Sequence, residues 1–316
     1  MRTVLITGVR GQDGSYLAEQ VMARGDRVFG TTRLGSPPEP PVGGVQLIDW
    51  YPGDPVRLRE VLGRVRPDEV YNLGAMSSGA GMHDDPVGIA EANGMAVVRL
   101  LEALRDVVPA ARFCQASSSE MFGLADGSPQ TELSPFRPRS PYGVAKLLGH
   151  VMVGEFRRRH GLFACSAILY NHESPRRGEG FVTRRITLGA ARIKRGLDEE
   201  LRLGNLDARR DWGFAPDYVR AMQLMLDHHE PHDYVVATGE LHTVRDVCRL
   251  AFEHLGLDYR DYVREDPGLV RPDESVPLVG DARRLRDVLG WSPHTGFEDM
   301  VRMMVDADMV RLGGSL

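Results

Sequence analysis

Thr3-Val4-Leu5-Ile6-Thr7-Gly8-Val9-Arg10-Gly11-Gln12-Asp13-Gly14-Ser15-Tyr16-Leu17-Ala18 decides the fold. Its first five residues are a short β-branched and apolar run, and a helical pattern follows around Ser15–Arg24. Between them Gly8, Gly11 and Gly14 recur at every third position. Glycines so spaced permit a tight turn and let backbone N–H groups approach a pyrophosphate, and the helix N-terminus adds partial positive charge. Strand, glycine loop and helix together read as a dinucleotide-binding unit, with Gly8, Arg10, Gly11, Gln12, Asp13 and Gly14 at the cofactor. The next strand, Arg27–Thr32, runs into Arg33. A carboxylate there would bind ribose hydroxyls, whereas an arginine suits a 2′-phosphate, which Arg10 can also reach. The expected cofactor is NADP.

Outward from this unit, short apolar runs alternate with helical patterns. A helix near Val56–Val65 leads to a strand at Glu69–Leu73. A helix around Ala90–Leu104 precedes a strand at Ala111–Ser117, and a helix over Tyr142–Arg159 precedes one at Phe163–Leu169. Crossovers of this length join parallel strands, so the fold class is α/β, a doubly wound parallel Rossmann sheet with a smaller C-terminal substrate-binding lobe. Residues 1–170 form the cofactor domain, with 213–238 returning to it, and 171–212 and 239–316 form the smaller lobe. Further helices are expected near Val182–Arg195, Ala215–Asp227, Val244–Leu255 and Asp281–Leu289. Gly35–Gly44, rich in proline and glycine, excludes regular structure.

Composition narrows the class. A 316-residue chain with 42% hydrophobic and 26% charged residues can bury a large core. The formal net charge of -5 argues against general nucleic-acid affinity. Cys114, Cys165 and Cys248 have no metal-like spacing and read as reduced thiols, so no metal site is expected. The chain enters its first strand without a signal peptide, and no apolar run approaches membrane-spanning length. The expected compartment is the cytoplasm, with no membrane partner.

A second constellation carries chemistry. Tyr142 and Lys146 are four residues apart on one helix, hence on one face. A nearby ammonium and a cationic nicotinamide both favour tyrosinate, which makes Tyr142 a base for a sugar hydroxyl. Upstream, Ser117-Ser118-Ser119-Glu120 ends a parallel strand, where ligands bind in such sheets. Ser118 can bond the same hydroxyl as Tyr142. Glu120 adds a carboxylate that simple hydride transfer does not need.

These residues resemble the extended short-chain dehydrogenases and, within them, the GDP-mannose 4,6-dehydratases. The similarity covers Leu5–Glu19, Gln115–Gly123 and Pro138–Lys146. Its most specific parts are Asn171-His172-Glu173-Ser174-Pro175-Arg176-Arg177-Gly178-Glu179 and Leu203–Gly213. The resemblance implies a lyase cycle. Tyr142, helped by Lys146 and Ser118, deprotonates the 4-hydroxyl as hydride leaves carbon 4. Glu120 removes the hydrogen on carbon 5. Water leaves carbon 6 with Ser119 in the proton path, and hydride returns to carbon 6. It adds Asp49 and Leu73 to the cofactor site, with Tyr142 and Lys146 also touching the cofactor. It assigns Ser77, Asn171, Lys194, Arg210, Arg271 and Glu274 to a GDP-linked hexose. Arg176 and Arg177 are read as ordering the lobe or an interface.

Two departures qualify the resemblance. Where the family carries Gln and His after its fourth strand, this chain has Met76 and Ser78, followed by a glycine-rich run to Gly88. A roomier wall beside the sugar is expected. The family's arginine- and serine-rich loop after its second strand is replaced by the proline-rich segment, which favours a homodimer over the alternative tetramer, through the helices around Ala90–Leu104 and Tyr142–Arg159. Rival readings are a related sugar-nucleotide epimerase or 4-ketoreductase, a dehydratase of another GDP-linked sugar, and an NADP-binding sensor without catalysis.

Overall fold

The computed structural model describes residues 1–32, 42–77, 85–270 and 277–313. Six strands, β1 (Thr3–Thr7), β2 (Arg27–Thr32), β3 (Gln46–Asp49), β4 (Glu69–Asn72), β5 (Arg112–Ser118) and β6 (Ala164–Leu169), join Tyr234–Val236 in one parallel sheet. Their spatial order is Tyr234–Val236, β6, β5, β4, β1, β2, β3. Chain direction across the sheet reverses between β1 and β4, and a doubly wound sheet binds ligands at that switch, outside the carboxyl ends of its strands.

The crossovers are α1 (Gln12–Ala23), α2 (Pro55–Val65), a long helix made of α3 (Pro86–Ala90), a π turn (Glu91–Met95) and α4 (Ala96–Val107), and α5 (Pro141–His160). Alternation along β1 shows how they cover both faces. Val4 and Ile6 belong to one core with Leu17 and Val21 of α1. Leu5 belongs to the other, with Leu58 and Leu62 of α2, Leu100 and Leu104 of α4, and Val153 and Phe156 of α5. Successive side chains of a strand point to opposite faces, so one short apolar run feeds two cores.

Beyond β6 the chain forms α6 (Val182–Lys194), α7 (Ala215–Asp227) and α8 (Val244–His254). Tyr218, Val219, Met222 and Met225 of α7 join the first core. So do Leu278, Ala282, Leu285 and Trp291, which the sequence reading assigns to the smaller lobe. A third core unites α6 (Ile186, Ala190), α8 (Val247, Ala251) and a C-terminal helix, Phe297–Arg311, through Met300, Met304 and Val305.

Besides several two- and three-residue strands, three elements of the main layers depart from the sequence reading. That helix, β3 and Tyr234–Val236 are all present without having been expected. The two strands are four and three residues long and lie at the sheet edges, too short for a period to register. The helix had a signal: its buried residues recur in pairs, Met300-Val301 and Met304-Val305, one turn apart. The three cysteines are free and buried. No helix among the described residues is long and apolar enough to cross a membrane.

Candidate active site

The glycine loop leaves β1 with Gly8 at φ 68°. A Cβ there would stand 2.8 Å from Gly74 N, and one at Gly14 would stand 2.3 Å from Gly8 O. The loop is therefore closed on itself and against the end of β4, with backbone where side chains would sit. The first intrahelical bond of α1 runs from Ser15 N to Gly11 O at 3.0 Å, so the N–H groups of Gln12, Asp13 and Gly14 precede it. Those N–H groups and the open backbone fit a pyrophosphate. Gly14→Ala must push helix against loop; overpacking of this kind costs about 1–3 kcal/mol, and we expect a lower Tm with weakened cofactor binding by fluorescence titration.

The side chains of the loop are tied elsewhere. Asp13, expected at the cofactor, gives its carboxylate to His172 Nε2 at 2.9 Å, while His172 Nδ1 meets the Tyr170 carbonyl at 2.7 Å. This leaves the backbone N–H of Asp13 to face a phosphate. Burial disfavours charge on both partners, yet their mutual attraction wins, lowering the Asp13 carboxyl and raising the His172 imidazole. Gln12 Nε2 donates to the His172 carbonyl at 3.0 Å, and its Oε1 accepts from Ser174 at 2.8 Å. Arg176 bonds Ser15 at 3.1 Å and Glu19 at 2.6 Å, so it orders the lobe against α1.

The catalytic candidates converge where β5 ends and α5 begins. Ser140 caps α5 by accepting from Gly143 N at 3.1 Å, and Pro141 occupies its first turn. Gly143 lets the two segments touch: a Cβ there would lie 2.5 Å from the Glu120 carbonyl oxygen. Ser118 caps the 3-10 turn Ser119–Met121, accepting from Glu120 N at 3.2 Å, and its hydroxyl is close enough to Tyr142 to pull the phenol down. Ser119 is 3% exposed, so Ser118 is the more open hydroxyl. Lys146 is buried and donates to the Ala116 carbonyl at 2.8 Å, with its Nζ 5.6 Å from the centre of the Tyr142 ring. Glu120 Oε2 accepts no hydrogen bond among the described residues, and Arg139 Nε lies 3.7 Å from it.

Burial pushes the Tyr142 phenol up to about 12; Ser118 and Arg177 pull it down while Glu120 and Asp13 oppose them. The tyrosinate expected from sequence is therefore not reached by the chain's own charges. Burial likewise brings the Lys146 ammonium down to about 8. From sequence Arg177 reads as an interface or ordering residue. It pairs with Glu173 at 3.1 Å, stacks 3.5 Å over the Phe181 ring, and is close enough to Tyr142, Asp13 and His172 to act on all three. His172 and Arg177 are thus site residues that sequence reasoning missed. So is Asn93 of the π turn, which clamps Met76 through its N–H (2.9 Å) and carbonyl (3.1 Å).

The other expected residues are spread more widely. Leu73 is half-buried beside Gly74, and Ser77 is exposed. Asp49 ends β3 and lines an open cavity of ≈ 470 Å³ with Arg57, Glu60 and Arg64, which contains none of the catalytic candidates. Asn171 pairs with Trp212 and Arg210 with His242 on short strands. Lys194 donates to the Leu255 carbonyl at 2.7 Å at the end of α6. At about 1.5 Å per residue it stands roughly 16 Å from Thr183, which bonds Glu173 at the near end of the helix. Arg33, Arg271 and Glu274 lie outside the described residues.

The sequence matches the family described as GDP-mannose 4,6 dehydratase over residues 5–304. GDP-mannose 4,6 dehydratase 2 of Arabidopsis thaliana is 46% identical over 98% of this chain and 87% of its own length. The GDP-mannose 4,6-dehydratase of Vibrio cholerae is 41% identical over 98% of this chain and 94% of its own. Among solved structures, the UDP-glucose 4-epimerase of Thermus thermophilus in complex with NAD gives a TM-score of 0.84 at 28% identity, covering 96% of this chain and 98% of that one. A doubly wound sheet, a glycine cradle, a Ser-Glu-Tyr-Lys cluster and full-length similarity coincide, and the chain belongs to the GDP-mannose 4,6-dehydratase family.

Proposed function

We propose that the chain dehydrates GDP-mannose to the GDP-4-keto-6-deoxy sugar with resident NADP, and that Ser118, Glu120, Tyr142 and Lys146 carry the proton chemistry. The observation that carries this reading is the meeting of those four side chains at the carboxyl end of β5, beside the glycine cradle. Gly8, Gly11 and the N–H groups of Gln12–Gly14 would hold the pyrophosphate, with Arg10 and Arg33 at the 2′-phosphate and Asp49 and Leu73 along the cofactor. When bound, the nicotinamide supplies the hydride acceptor at carbon 4 and the hydride donor at carbon 6.

Tyr142 takes the 4-hydroxyl proton, with Ser118 holding the same oxygen. Its phenol, held up to about 12 by burial with the Lys146 ammonium already beside it, needs positive charge that the chain does not supply, which a bound cationic ring would add. The ketone at carbon 4 acidifies the hydrogen on carbon 5. Glu120, whose Oε2 accepts no hydrogen bond among the described residues, takes that proton and passes it to the departing 6-hydroxyl with Ser119 in the path. Asn171, Lys194, Arg210, Arg271, Glu274 and Ser77 are assigned to the GDP-sugar. We assign a homodimer through α5, whose exposed Val144, Leu148 and Val151 form one helical stripe, and a cytoplasmic location.

Incubation with GDP-mannose followed by mass spectrometry tests the reaction. Loss of one water without added NADPH is expected. Consumption of NADPH would point to a ketoreductase, and an isomeric product of unchanged mass to an epimerase. Fluorescence titration with both dinucleotides is expected to give tighter binding of NADP than of NAD.

A further inference from the structure

Thr7, Asn72 and Gln115 stand in one register line across β1, β4 and β5, and all three side chains are buried. Their hydrogen bonds form a chain with a single direction. Gly74 N–H donates to the Thr7 hydroxyl at 2.9 Å, and that hydroxyl donates to Asn72 Oδ1 at 2.6 Å. Asn72 Nδ2 donates to Gln115 Oε1 at 2.7 Å, and Gln115 Nε2 donates to the Ala116 carbonyl at 2.9 Å. Lys146 donates to that same carbonyl. Turning Gln115 over would set donor against donor at Asn72 and acceptor against acceptor at Ala116, and turning Asn72 over would set its oxygen against Gln115 Oε1, so each orientation fixes the next.

Such a row carries a liability that an apolar one avoids, because any of its buried polar groups left unpaired would be destabilising. The two ends of the row show what it is placed to do. One end holds Gly74, against which the glycine loop closes. The other reaches the carbonyl that anchors Lys146, which makes no ion pair among the described residues.

We propose that Gln115 is a positioning residue: through the Ala116 carbonyl it sets where the Lys146 ammonium stands beside Tyr142, and through Asn72 and Thr7 it ties that position to the cofactor cradle. The proposal rests on the assignment of Lys146 and Tyr142 to the catalytic machinery. Acid–base groups must hold their geometry closely, since a misplacement of about 1 Å can cost on the order of 10²-fold in rate.

Two variants of the full-length enzyme, loaded with NADP, test it. Gln115→Met keeps length and removes both bonds. Asn72→Leu/Gln115→Met also removes the facing donor, so no amide is left buried alone, and the Thr7 hydroxyl, which loses its acceptor, keeps the bond from Gly74 N–H. Both are expected to lose about 10- to 100-fold in kcat while KM for GDP-mannose and the Kd for NADP stay within about threefold. The double variant should regain Tm lost by the single one without regaining kcat. An unchanged kcat in either folded variant overturns the proposal, as does a kcat that rises and falls with Tm across the pair. Tyr142→Phe and Lys146→Met are measured alongside. If these two keep full turnover, the catalytic assignment has failed; if they abolish it while Gln115→Met does not, only the positioning role has failed.

Discussion

Tyr142→Phe is expected to lower kcat for GDP-mannose by about 10⁴-fold, the top of the range for a placed proton transfer. The substitution removes one oxygen from the mouth of α5 and leaves the ring, the Ser140 cap and the Lys146 anchor in place. The lost oxygen is the one whose acidity Ser118 and Arg177 raise and Glu120 opposes. At about 1.36 kcal/mol per decade, the loss corresponds to roughly 5 kcal/mol of transition-state stabilisation. NADP binding should change little, so a dinucleotide titration separates loss of chemistry from loss of fold. A protein that only sensed the dinucleotide would be indifferent to this change, and full retention of turnover would end the enzymatic reading of the site.

Glu120→Gln is expected to stop elimination, with a fall of about 10³-fold in water loss. Glutamine matches the shape of glutamate yet cannot accept a proton from carbon 5. The carboxylate is suited to that task because Oε2 is buried without a hydrogen bond among the described residues and its nearby cation, Arg139, stands 3.7 Å away. The glycine cradle is untouched, so NADP affinity should persist. Mass spectrometry of GDP-mannose after prolonged incubation gives the answer. Unchanged water loss would exclude Glu120 as the base and return the choice to another carboxylate or to solvent.

Much of this site is legible along the chain because its parts are local. The glycine trio, the Ser140-Pro141 helix start and the four-residue spacing of Tyr142 and Lys146 each lie within a few residues, and local geometry follows from such spacing. Contacts between distant residues are not legible in that way. Asp13 and His172 are 159 positions apart, and Asn72 and Gln115 are 43 apart. Asp13 therefore reads from sequence as a cofactor ligand, while its carboxylate belongs to His172. Arg177 reads as an ordering residue, while it also charges the surroundings of Tyr142. The π turn that carries Asn93 falls inside the helix read over Ala90–Leu104, and its buried residues, Asn93 and Gly94, are not apolar.

By itself the sequence determined the parallel α/β sheet and pointed to a phosphate cradle and to Ser118, Ser119, Glu120, Tyr142 and Lys146 as catalytic candidates, because periodicity, glycine spacing and helix caps act over one or two turns of chain. Only the tertiary structure decided which polar groups are spent on one another and which remain open to a ligand. A hydrogen bond or ion pair is assigned by proximity in space, and burial, which moved Tyr142 up and Lys146 down, exists only once the chain has folded around them.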